Sequence, residues 1–212
     1  MFLPLKDTNP PLRRPVVTPI LIVLNIGIFI LGTSYSIEQF AFYEAALKAG
    51  TPQGFTGLVT YQFLHGGWGH LIGNMWFLYI FGDNVEASFG RLRFLGFYLV
   101  CGIVSALAEV YLDPTFGTEV PGVLVGASGS ISGVLGAYIL RYPRAKILTW
   151  FIWIAIGRIQ AVWYILIWIG LQFLYQVLRP ESNVAYLAHI GGFMCGLIIY
   201  WLYHSFRMIK ES

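Results

Sequence analysis

The chain has 212 residues, of which 57% are hydrophobic and only 11% are charged, and its mean hydropathy is +0.69. In soluble globular domains about a quarter of the residues are charged. This composition therefore excludes a soluble domain and predicts an integral membrane protein. The net charge of +3 comes from Lys and Arg residues scattered at the ends of apolar runs, a pattern that indicates membrane orientation and gives no reason to expect nucleic acid as a partner.

Six apolar runs are long enough to cross about 30 Å of hydrocarbon as helices. They cover residues 16–33, 68–88, 93–112, 126–141, 160–178 and 184–206. We therefore predict an all-α membrane protein, with a six-transmembrane-helix bundle over residues 16–206 and short tails at residues 1–15 and 207–212. Cys101 and Cys195 fall inside these runs, where we expect them to be reduced packing residues.

The connections between these runs differ strongly in charge. Eleven Lys and Arg residues fall on one side of the membrane, whereas the other side receives only Lys48 and Arg179. Because positive residues accumulate in cytoplasmic connections, both tails are predicted to be cytoplasmic. The longest connection, residues 34–64, then lies outside.

One further apolar stretch, from Ile147 to Ile156, is too short to span the membrane at about ten residues. Basic residues at both of its ends hold it on the side that we predict to be cytoplasmic. We expect this stretch to lie in the membrane interface, with Trp150 and Trp153 at the level of the lipid headgroups.

The stretch from Leu124 to Tyr138 reads LVGASGSISGVLGAY and is rich in glycine and serine. Each glycine costs a helix roughly 1 kcal/mol, so the missing side chains indicate close approach of a neighbouring helix, a role that we assign to Gly126, Gly129 and Gly133. Ser128, which is flanked by small residues, is a candidate nucleophile. The alternative is a packing serine that bonds back to a carbonyl one turn earlier.

His189 lies near the start of the last run, at a depth similar to that of Ser128, about 10 Å below the outer surface of the hydrocarbon. Gly192 and Gly196 form a GxxxG face on its side of the helix, and packing of this face on the fourth run would bring the imidazole to the serine. Neutral imidazole could then take the hydroxyl proton, although His189 could also be a packing residue. Glu181 lies about two turns earlier, so packing or another hydrogen bond must orient the imidazole.

The segment HGGWGHLIGN holds His65, His70 and Asn74 at the outer end of the second run. His70 and Asn74 are four residues apart and share a helix face, so both could donate to an oxygen on which negative charge develops. A zinc site made by His65, His70 and His189 is the rival interpretation. We expect no metal, because no carboxylate or cysteine lies at ligand spacing.

The motifs GASG, AHxxG and HGGWxHLxxN, on the fourth, sixth and second runs, resemble those of the rhomboid family of intramembrane serine proteases. The resemblance implies Ser128 as nucleophile and His189 as general base. It implies an oxyanion hole made by His70, Asn74 and the backbone N–H groups of Ser128 and Ala127. It also implies a bundle of six helices with a water-filled cavity open to the outside, and no metal or other cofactor.

Two positions depart from the family pattern. Well-studied members carry an aromatic residue one turn after the nucleophile, on which the histidine stacks, whereas this chain has Ser132 there. Ser132 is therefore also a competing hydroxyl on the same face. Much of the family has a Trp-Arg pair in the first outer loop, where this chain reads Phe55–Thr56–Gly57, so we expect the loop to be anchored differently.

These observations predict an endopeptidase that cleaves transmembrane segments near the outer leaflet through a Ser-His dyad. The alternative is a catalytically inactive relative that binds transmembrane clients. A small transporter is a third class, but the polar groups do not continue to the cytoplasmic side. The expected partners are transmembrane protein substrates and membrane lipid, and the expected location is a prokaryotic plasma membrane, crossed several times, with the active site open to the outside.

Overall fold

The computed structural model describes residues 2–9, 11, 13–32, 34–112, 122–151, 155–178 and 184–211. Helices account for most of this part of the chain. In chain order the elements are β1 (Phe2–Asp7), α1 (Val17–Leu31), α2 (Ser34–Phe40), β2 (Phe42–Tyr43), α3 (Glu44–Lys48), α4 (Pro52–Thr60), α5 (Trp68–Phe89), α6 (Arg91–Leu112), β3 (Val123–Leu124), α7 (Ser128–Arg141), β4 (Lys146–Phe151), β5 (Ala155–Gln160), α8 (Ala161–Leu178) and α9 (Tyr186–Glu211).

Each of the six predicted apolar runs overlaps one helix, namely α1, α5, α6, α7, α8 or α9. Among the described residues, three helical segments are long and apolar enough to cross a membrane: α6, α8 and the part of α9 from Tyr186 to Arg207. The other three helices do not meet both conditions. Helices α1 and α7 have only 15 and 14 residues, and polar side chains interrupt the apolar sequence of α5. The chain is therefore a predominantly helical membrane protein.

Helix α7 lies at the centre of the bundle, and its residues 129–139 are all buried. It packs most closely against α9, where both helices expose backbone instead of side chains. A Cβ atom on Gly192 would overlap the carbonyl oxygen of Gly129, and one on Gly196 would overlap that of Gly133. The two helices therefore touch through their backbones, which a larger residue at either α9 position would prevent.

Residues 34–63 form a folded layer at the end of the bundle where α7 begins. Strand β2 pairs with β3, which leads into α7, and the Thr51 side chain caps α4 by accepting from Gly54. A short 3-10 turn, Tyr61–Phe63, follows α4, and the Tyr61 hydroxyl donates to the Gly102 carbonyl on α6 at 2.7 Å. The layer is thus tied to both α6 and the start of α7. Gly57, in the segment that departs from the family pattern, packs on the backbone beside β2.

A three-stranded antiparallel sheet, in the order β1-β4-β5, lies at the end of the bundle where α7 finishes. The Asp7 carboxylate accepts from the Tyr138 hydroxyl at 2.6 Å and from Asn84 Nδ2 at 2.9 Å, which ties β1 to α7 and α5. Because this carboxylate is half-buried, the pKa of Asp7 is raised above its ordinary value.

The sheet contains two features that the sequence did not predict. Residues 2–7, within the predicted tail, form β1, and the stretch from Ile147 to Ile156 contributes to the β4–β5 pair. The interfacial position of this stretch stays a prediction, and Trp153 lies outside the described residues. At the other terminus, α9 continues to Glu211, so residues 207–211 extend the last helix. The apolar side chains of β4 alternate between the buried Ile147 and the exposed Trp150, as expected for a strand with one covered face.

Candidate active site

The backbone turns sharply into α7 just before Ser128. Gly126 has a φ of +123°, a region that favours glycine, and its N–H donates to the Tyr61 carbonyl at 2.9 Å. Ala127 is the N-cap, and Ser128 is the first residue of the helix. Because the first N–H groups of a helix lack intrahelical partners, those around Ser128 can donate to an acceptor beyond the start of α7.

Ser128 and His189 are in hydrogen-bond contact. The distance from Ser128 Oγ to His189 Nε2 is 2.9 Å, which is within the range for direct proton transfer between a hydroxyl and a base. His189 lies in the first turn of α9, which the backbone packing described above brings against α7. The contact therefore depends on the packed glycines that follow each residue: Gly129 and Gly133 after Ser128 on α7, and Gly192 and Gly196 after His189 on α9.

The second ring nitrogen of His189 contacts a residue that the sequence analysis missed. His189 Nδ1 lies 2.8 Å from Gln172 Oε1 on α8. An amide oxygen can only accept a hydrogen bond, so Nδ1 carries the proton and Nε2 is left free to accept the Ser128 hydroxyl. Gln172 is thus placed to select the tautomer that a general base requires.

Trp168, one turn before Gln172 on α8, lies beside the imidazole. The ring centroids of Trp168 and His189 are 6.0 Å apart and the ring planes are inclined by 35°. Helix α8 therefore supplies an aromatic neighbour for His189. Ser132, at the position where well-studied members carry an aromatic residue, is fully buried and donates to the Ser128 carbonyl at 2.6 Å.

Helix α6 holds the backbone next to His189, and this was also missed. Ser105 Oγ donates to the Ala188 carbonyl at 2.8 Å, and the Ala188 N–H donates to the Glu109 carboxylate at 2.5 Å. A carboxylate inside an apolar run is costly, which is the signal that could have marked Glu109 in the sequence. It acts on the main chain before the histidine and not on the imidazole.

His70 and Asn74 lie on the first turns of α5 and line the same cavity of about 790 Å³ as Ser128 and His189. Asn74 is buried, and within the described part of the chain its Nδ2 group has no hydrogen-bond partner. A buried amide donor without a partner is costly, and a negatively charged oxygen in the cavity would satisfy it. Gly126 borders this pair: a Cβ atom there would lie 2.6 Å from His70 Nε2.

Gly126 thus differs from the helix-packing role that we expected, because it precedes α7 and faces His70. His65 is buried beside His70, with ring centroids 5.2 Å apart, and burial lowers the pKa of His65 to about 4. Over the described ranges, no three His, Cys, Asp or Glu residues are grouped as a metal site would require. Cys101 and Cys195 are both free.

Comparison with known proteins gives the family. A sequence model described as "Rhomboid domain" matches residues 52–206. "Rhomboid-like protein 11, chloroplastic" from Arabidopsis thaliana is 27% identical over 206 residues, which are 95% of this chain and 70% of the relative. "Rhomboid protease GluP" from Bacillus subtilis is 32% identical over 190 residues, 86% of this chain and 34% of the relative.

"Rhomboid protein 1, mitochondrial" from Saccharomyces cerevisiae is 29% identical over 146 residues, and the chain spans only 39% of its length. Several relatives are thus named for chloroplasts or mitochondria, so they lend no support to the expected prokaryotic plasma membrane. The match of the family model covers most of the chain and includes every residue of the site described above. The chain belongs to the rhomboid family.

Proposed function

We propose that the chain is an intramembrane serine endopeptidase that cleaves transmembrane segments of other proteins. The single observation that carries this proposal is the 2.9 Å contact between Ser128 Oγ and His189 Nε2. Family membership alone is not sufficient, because the relatives include both proteins named as proteases and proteins named only as rhomboid-like. An inactive client-binding protein would have no need of a serine and a histidine held at this distance.

In the proposed first step, Ser128 Oγ attacks the carbonyl carbon of the scissile peptide bond while its proton passes to His189 Nε2. The Gln172 oxygen keeps the proton on Nδ1 and supports the imidazolium that forms. Collapse of the tetrahedral intermediate breaks the C–N bond, and His189 returns the proton to the leaving amine. The product is an ester of Ser128 with the amino-terminal part of the substrate.

Negative charge on the carbonyl oxygen would be stabilised by His70, by Asn74 and by the backbone N–H groups of Ser128 and Ala127. The unpartnered Asn74 amide supports this assignment, because a donor fixed in advance needs no reorganisation when the charge forms. Water that enters the cavity then attacks the ester, with His189 again acting as the base. The acid is released and Ser128 is regenerated.

The proposal includes the membrane arrangement. Helices α1, α5, α6, α7, α8 and α9 would all cross or enter the bilayer, both termini would be cytoplasmic, and the cavity would open to the opposite side. This orientation rests on the uneven distribution of Lys and Arg. Substrates would be cut near their outer end, where a helix must first unwind to expose a carbonyl, so weak helix formers such as Gly and Pro should be favoured there.

The proposal is tested by incubating the purified chain with single-span substrates and mapping the products by mass spectrometry. We expect one cut inside the outer third of the span, which slows when Gly and Pro residues around it are changed to Leu. A client binder would give stable complexes without cleavage and without labelling by a serine-directed isocoumarin. That combination would contradict the proposal.

A further inference from the structure

A second cavity lies at the far end of the bundle from the active site, where the chain enters α1 and passes from α5 to α6. It has a volume of about 520 Å³. Four arginines from two separate segments line it: Arg13 and Arg14 before α1, and Arg91 and Arg93 at the start of α6. We propose that this cavity binds the phosphate group of an anionic phospholipid.

The cavity carries an excess of positive charge, with four arginines and one carboxylate among the described residues that line it. Within the described residues, none of the four arginines forms an ion pair, and the Arg93 guanidinium lies 5.9 Å from the Tyr203 ring centroid. Glu86 is that carboxylate, and it is hydrogen-bonded to the start of α1. Its two oxygens accept four hydrogen bonds, from the N–H groups of residues 16–18 and from the Thr18 hydroxyl.

The shape of the α5–α6 connection leaves the cavity open. Gly90 has a φ of +79°, and the space where its Cβ would lie is empty. Its carbonyl accepts from the Phe94 N–H at 2.9 Å, so Gly90 precedes α6 without a side chain to cap the first N–H groups. These N–H groups add hydrogen-bond donors to the cavity. The proposal rests chiefly on the four arginines.

The surroundings favour a lipid over a soluble anion. Leu92, between two of the arginines, is 86% exposed, and the outer face of α1 exposes Ile20 and Val23. Because helices α1 and α6 begin here, the arginines lie where apolar helix surface meets the polar boundary of the membrane. A phospholipid can place its phosphate on the guanidinium groups and its acyl chains on this apolar surface. Inorganic phosphate can contact only the guanidinium groups.

The test measures lipid binding to the full chain in a neutral detergent, by native mass spectrometry with phosphatidylglycerol. The double variants Arg13→Gln/Arg14→Gln and Arg91→Gln/Arg93→Gln should each lower the affinity about tenfold or more. The double variant Arg141→Gln/Arg144→Gln is the matched control, because it removes two charges on the same predicted side but outside the cavity. The affinity of this control variant for phosphatidylglycerol should stay within about threefold of that of the unchanged chain. Equal losses in all three variants would overturn the proposal.

The unchanged chain provides a test that does not depend on how the variants fold. Phosphatidylglycerol should bind at least about tenfold more tightly than zwitterionic phosphatidylcholine, and the difference should shrink as salt is raised. Inorganic phosphate should displace phosphatidylglycerol only at far higher concentration than the lipid itself. Equal binding of the two lipids would show that no anion site exists, and displacement by phosphate at comparable concentration would identify a soluble anion instead.

Discussion

At the scale of single residues, the contact between Ser128 and His189 could be predicted from the sequence, but the residues around it could not. Ser128 and His189 stand out because polar groups flanked by glycines are unusual in apolar runs. Gln172 is 17 residues before His189, on another helix, and only the packing of α8 against α9 brings the two side chains together. Its amide within an apolar run was the available signal, but the sequence does not show which neighbour that amide meets.

Replacing Gln172 by Ala should lower kcat about tenfold and leave KM nearly unchanged, because the hydrogen bond that fixes the His189 tautomer is lost. Gln172→Glu keeps an acceptor oxygen and should restore most of the rate. Steady-state cleavage of a single-span substrate measures both constants. If the Glu variant is as slow as the Ala variant, or if only KM changes, Gln172 does not position the imidazole.

Asn74→Ala should lower kcat about 10²–10³-fold, the usual effect of removing one donor to a developing oxyanion. The same change should not lower the thermal stability, because Asn74 Nδ2 forms no hydrogen bond within the described chain that the change would remove. Kinetics and thermal unfolding of one preparation separate these effects. A large fall in stability with little change in kcat would assign Asn74 a structural role.

At the scale of elements, glycine spacing correctly indicated that α7 and α9 approach through bare backbone. Gly129 and Gly133 meet Gly192 and Gly196, because a repeat of four residues keeps glycines on one helix face. Gly126 was placed in the same group, but α7 begins only at Ser128. A helix start inside an apolar run has little sequence signature when no capping side chain marks it.

The α7–α9 contact can be tested with one added methyl group. Gly192→Ala should destabilise the protein by about 1–3 kcal/mol, because the new Cβ overlaps the Gly129 carbonyl. Gly170→Ala on α8 is the matched control: its Cβ would enter open space, so stability should stay the same or rise by up to about 1 kcal/mol. Thermal unfolding in detergent compares the two variants. Similar unfolding temperatures would argue against tight backbone contact.

At the scale of the whole molecule, composition and hydropathy predicted a helical membrane protein, but the sheet at the end of α7 was not foreseen. Strand β1 pairs with β4, which is far away in the sequence, with Phe2 opposite Phe151 and Asp7 opposite Ile147. Short strands carry a weak periodic signal, and no local pattern reveals a partner so distant in sequence. The Lys146–Phe151 strand was visible only as an apolar stretch too short to span.

The proposed protease activity requires that α7 and α9 bring Ser128 and His189 together as nucleophile and base. The most direct measurement is the cleavage rate of a single-span substrate by Ser128→Ala, His189→Ala and Ser132→Ala, each checked for folding. We expect the first two variants to lose at least about 10³-fold in rate, while Ser132→Ala stays within about tenfold of the unchanged chain. Cleavage that survives in Ser128→Ala but disappears in Ser132→Ala would contradict this expectation.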